Sequence, residues 1–130
     1  MPAKMQQAQA KLGRRYKTYA AETGVSYRYF FAAQRRVARP EGQGAGRDYT
    51  FVVSPDQGPP STVQVFVSDR ALGTWRRIHE NELEASEQYA AAKMRLFRAF
   101  DTYERVVDER LNLVVDETNV EELLEPLDLV

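Results

Sequence analysis

From Tyr89 onward the chain carries large side chains at steps of three and four: Tyr89, Ala92, Leu96, Phe100, Tyr103 and Val107, flanked by Phe97 and Val106. That spacing marks one face of an α-helix. Read as a single helix from Trp75 to Arg110, the segment measures about 54 Å, against roughly 30 Å for the width of a small domain. It must therefore break or overhang. An overhang leaves Phe100 and Tyr103 without a core of their own chain, so Phe100, Tyr103 and Val107 are read as an apolar seam available to a neighbouring chain.

The residues before this helix set what it can pack against. Residues 3–22 are rich in Ala, Gln, Lys and Arg, with Met5, Ala8, Leu12, Tyr16, Tyr19 and Ala20 recurring every three or four positions, and read as an amphipathic N-terminal helix stopped by Thr23 and Gly24. Residues 25–37 alternate, with Val25, Tyr27, Tyr29, Phe31 and Ala33 on one face and Ser26, Arg28, Phe30, Ala32 and Gln34 on the other, as a half-buried strand does. A glycine-rich connection (residues 39–47), a strand (49–53), a proline-rich turn (54–61) and a third strand (62–67) follow. Ser68, Asp69 or Thr74 caps the long helix, Leu111 to Val115 is a short further strand, and Thr118 or Asn119 caps a last turn ended by Pro126.

The expected fold is therefore α+β: an N-terminal helix, a three-stranded antiparallel meander, a long C-terminal helix that either breaks or overhangs, and helices on one face of the sheet. With 130 residues, one domain over residues 1–116 and a tail over 117–130 account for the chain. In the tail, Val120, Leu123, Leu124, Leu127, Leu129 and Val130 stand among five acids. It reads either as a docking element anchored by Leu123, Leu124 and Leu127 or as a segment folded back on its own sheet. On the docking reading, removing it after Asp116 leaves the domain folded.

Charge is the second constraint. The net charge of −1 conceals 13 bases against 5 acids in residues 1–79, a balance of +8, and 5 bases against 14 acids in residues 80–130, a balance of −9. Such asymmetry concerns partners more than fold. The basic half is expected to meet an acidic surface through Arg14, Arg15, Lys17, Arg28, Arg35, Arg36, Arg39 and Arg47. Because Arg14 and Arg15 adjoin Tyr16 and Tyr19, and Arg28 lies between Tyr27 and Tyr29, nucleic acid is the alternative partner, phosphates seeking the bases and unstacked nucleobases the rings.

Catalytic and metal chemistry find little purchase. Cysteine is absent and His79 is the sole histidine, which excludes thiolate nucleophiles, disulfides and zinc sites built on several imidazoles. The run His79-Glu80-Asn81-Glu82-Leu83 lacks the second histidine of a zinc-protease helix. Gly42-Gln43-Gly44-Ala45-Gly46 leads into Arg47-Asp48 and a strand, where a phosphate loop needs Lys, Ser or Thr and a helix. Acids at helical spacing, such as Glu80 with Glu84, are ordinary surface pairs. No catalytic residue, cofactor or metal is therefore expected. With no secretory signal and no apolar run long enough to span a bilayer, the expected location is the cytoplasm or a particle assembled there, and membrane association is not expected. The reading that follows is a structural or adaptor subunit, such as a virion component, that forms an oligomer or a larger assembly with other protein chains.

Overall fold

The computed structural model describes residues 16–39, 42–56, 58–103, 106 and 112–129. Five strands, β1 (Lys17–Ala20), β2 (Ser26–Arg39), β3 (Gly44–Pro55), β4 (Ser61–Ser68) and β5 (Leu113–Val115), form one sheet in the order β1-β2-β3-β4-β5. The first four are antiparallel neighbours, whereas β5 runs parallel to β4. Between β4 and β5 lie α1 (Asp69–His79) and α2 (Ala85–Thr102), and after β5 come α3 (Val120–Leu124) and one 3-10 turn, Glu125–Leu127. The sheet curls strongly into a half-barrel with α2 inside it. A bulge between Phe31 and Ala33 of β2 supplies local extra twist.

Three features depart from the sequence reading. Residues 17–20 are a strand rather than the end of an N-terminal helix, because pairing with Ser26 to Tyr29 and the stacking of Tyr19 on Phe97 at 4.3 Å outweigh helix propensity. The remainder of that expected helix lies outside the described residues. The meander of three strands is part of a sheet of five. Helices do not simply cover one face of a flat meander, and of the two outcomes left open for the long helix, a break or an overhang, it breaks in two. The break falls at Glu80, which caps α1 in the left-handed conformation (φ 57°) while its N–H donates to Arg76 O. The chain restarts at Glu84, whose N–H donates to Glu87 Oε1 at 2.8 Å.

One core fills the curl. Tyr27, Tyr29, Phe51, Val53, Val65, Val67, Leu113 and Val115 line the concave face and are buried. Against them α2 buries Ala91, Ala92, Leu96, Ala99 and Phe100, its alanines permitting close approach. Leu123 and Leu124 belong to the same core. On the convex face Phe66 is fully buried, its ring lying over Gly46, where any Cβ would meet ring carbons at 2.8 and 2.9 Å. Ser68, one of the three candidates the sequence offers, caps α1 by accepting from Ala71 N–H at 3.1 Å.

Candidate functional site

The hairpin β2–β3 projects its ladder well beyond β1. β1 pairs with β2 only from Ser26 to Tyr29, so among the described residues nothing pairs with the outer edge of β2 from Phe30 to Arg39. Ala32, Ala33, Gln34, Arg35, Arg36 and Ala38 are exposed along it. The bulge reverses the alternation of side chains midway. Before it, Tyr27, Tyr29 and Phe31 face the concave side; after it, Gln34 opposes Tyr49 and Arg36 opposes Arg47 on that side, while Arg35 opposes Asp48 on the convex side.

This placement divides the expected basic face. Arg28, Arg35 and Arg39 lie on the convex side, whereas Lys17, Arg36 and Arg47 lie on the concave side. Most of them already have partners within the chain. Arg36 makes a two-pronged ion pair with Asp69, at 3.1 and 2.6 Å. Arg39 binds the buried Asp48 at 2.7 Å and covers the Phe66 ring at 4.7 Å. Asp48 without Arg39 would be a buried, unpaired carboxylate, so Arg39 is a structural residue. Arg47 donates to Gln34 at 3.3 Å and Arg28 stacks over Tyr16. Arg35 is exposed and, among the described residues, its guanidinium has no partner. Arg14 and Arg15 lie outside the described residues.

The apolar seam divides as well. Phe100, Leu123 and Leu124 are buried in the chain's own core, Tyr103 is half-buried against it, and Val107 lies outside the described residues. Leu127 is exposed. Leu123 and Leu124 thus take the fold-back position of the two left open for the tail, and neither is presented to a partner.

Two clefts border the tail. One, of about 340 Å³, is lined by Trp75, His79, Glu121, Leu124, Asp128 and Leu129. There the His79 ring packs on Trp75 at 3.8 Å and its Nε2 lies 2.6 Å from Glu121 Oε1, tying α1 to α3. The His79 side chain is 14% exposed. Glu121, 42 positions away, is a partner that spacing cannot reveal.

The other cleft, of about 550 Å³, is lined by Tyr19, Met94, Phe97, Asp101, Leu123 and Pro126. Tyr19 donates its hydroxyl to Asp101 at 2.6 Å, and Asp101 also accepts from Glu22 N–H at 3.0 Å, so one carboxylate holds β1 to α2. Burial, followed by the hydrogen bond and the negative charge of Asp101, pushes the Tyr19 phenol up to about 12. The neutral phenol is thus favoured by folding, and its contribution is complete below pH 10, the ordinary phenol value, and lost as pH rises towards 12. We expect the urea midpoint to fall between pH 10 and 12, and to fall less in Tyr19→Phe. Equal slopes in the two proteins would remove Tyr19 as a source of that dependence.

Among the described residues no three acidic or imidazole side chains gather as a metal would require, and no helix is long and apolar enough to cross a membrane. Comparison with known proteins gives no matching family model and no significant match to a curated protein or a solved structure.

Proposed function

We propose that this chain is a non-catalytic assembly subunit that binds another polypeptide along the outer edge of β2. The observation that carries the reading is the outer edge of β2 from Phe30 to Arg39, which no other strand pairs among the described residues and along which six residues are exposed. An open edge presents backbone donors and acceptors in register, and adding a strand to it is a general mode of peptide recognition. A virion or similar particle is one setting in which such a subunit would work, and a cytoplasmic origin is consistent with that setting.

The alternative, nucleic acid, draws less support from the geometry. Tyr27 and Tyr29 lie beneath α2 and offer no ring face to a base, and the arginines are divided between two faces with several already paired.

The test is position-specific photo-crosslinking in the producing cells, with a benzophenone amino acid replacing Gln34 in one protein and Thr62, an exposed residue of β4, in another. A polypeptide adduct at 34 and not at 62 is expected. Equal labelling at the two positions, or none at 34, would overturn the reading. Binding of DNA or RNA that falls log-linearly with salt would favour the alternative.

A further inference from the structure

Resting on the reading of β2 as the docking edge, we infer that its occupant is an extended acidic strand, which pairs with Gln34, Arg36 and Ala38 and sets a carboxylate against Arg35. The ladder fixes which backbone groups are available. Asp56 N–H donates to Ser26 O, which fixes the parity of β3: its even-numbered residues turn their N–H and C=O towards β2. Their partners beyond the bulge are Ala33, Arg35, Val37 and Arg39. Gln34, Arg36 and Ala38 therefore turn their N–H and C=O outward, three donors and three acceptors at alternate positions.

Charge selects among occupants. The run Phe30 to Arg39 carries Arg35, Arg36 and Arg39 and no acid. Asp69 and Asp48 already neutralise Arg36 and Arg39, so Arg35 carries the charge left open along the run, and a second copy paired antiparallel about position 35 would set two such guanidiniums against each other, a destabilising arrangement on a sheet. The chain's own N-terminal stretch, residues 1–15, holds Lys4, Lys11, Arg14 and Arg15 and no acid, so it has no carboxylate to set against Arg35. An acidic strand meets neither objection. Paired along the edge, the residue opposite Arg35 projects to the convex side beside its guanidinium, which has no partner among the described residues. Arginine side chains and a bulge are also devices by which natural sheets suppress edge-to-edge aggregation. Here they would exclude copies of the chain while admitting a strand of opposite charge.

The probe is a blocked peptide of alternating Thr and Glu, added in excess to the full chain, with a Thr and Lys peptide as control and amide hydrogen exchange as the readout. Slower exchange at Gln34, Arg36 and Ala38, with Arg35 and Val37 unchanged, is expected with the Glu peptide alone. Arg35→Glu should weaken that peptide about fivefold and transfer preference to the Lys peptide. Ala38→Pro removes an outward donor without touching the β2–β3 ladder and should abolish protection at Gln34 and Arg36. Protection by both peptides alike, peptide binding without protection, protection caused by dimerisation in the ultracentrifuge, or displacement by oligonucleotide would each overturn the inference. A crosslink at position 34 with no protection by the acidic peptide would sink the acidic occupant and leave the docking edge standing; no crosslink at 34 would sink both.

Discussion

A chain ending at Asp116 should lose cooperative unfolding altogether. Val120, Leu123 and Leu124 are at most 2% exposed and lie in the same core as Phe100 and Val115. Burying each such side chain contributes about 1.5 to 3 kcal/mol, so the three together represent roughly 5 to 9 kcal/mol, comparable to the whole stability of a typical domain. The truncation also removes two groups that hold the turn after β5, since Asn119 donates to Val114 O at 2.8 Å and accepts from Asp116 N–H at 2.9 Å. It frees His79 from Glu121 as well. The expected result is a shallow, non-sigmoidal urea curve and loss of near-ultraviolet circular dichroism. A truncated chain that unfolded with the full-length midpoint would restore the tail to the role of a separate docking element.

How the sequence misleads about the tail explains much of what else it conceals. Six apolar residues among five acids look the same whether they close their own core or enter another's, because the deciding partners lie on α1 and α2, remote in the chain. Local signals fared better. Ser68 caps α1 and Asn119 precedes α3, since capping depends on a few adjacent residues. The period-two segments became β2, β3 and β4, although each extends further than its sequence signal, Gly44 to Gly46 being paired strand where a loose connection is expected.

The failures have two physical origins. Tyr16, Tyr19 and Ala20 fit a helical stripe, and Thr23-Gly24 stops a helix as well as it turns a hairpin; only the distant Phe97 and Asp101 decide for β1. At Glu80 a non-glycine residue takes the left-handed conformation, so the break carries no glycine or proline to betray it. The bulge after Phe31 is similarly silent, and it decides that Arg35 takes the convex face and Arg36 the concave one, the reverse of an unbroken alternation. The legible part of the candidate site was therefore its charge. The open edge that gives the charge a role depends on where β1 stops.

Replacing Phe100 by Ala should lower stability by about 3 to 5 kcal/mol, the range for removing a fully buried aromatic side chain from a core. Phe100 is 0% exposed. Its ring stacks on Tyr27 with centroids 4.1 Å apart and planes 9° from parallel, and Tyr19 and Tyr29 lie at 5.7 and 6.3 Å. Such pairs contribute about 0.5 to 1.5 kcal/mol beyond burial, so the loss should fall towards the upper part of that range. Phe100→Leu, which retains most of the apolar volume, should cost less. The decisive control is concentration. A core residue shifts the urea midpoint equally at nanomolar and micromolar protein, with the slope unchanged, whereas an interface residue would leave the dilute protein almost unaffected and weaken only its assembly. The first pattern follows from the geometry: α2 is inside the curl, and Phe100 is where β1, β2 and the helix meet. The Phe100 seam therefore belongs to the chain's own core.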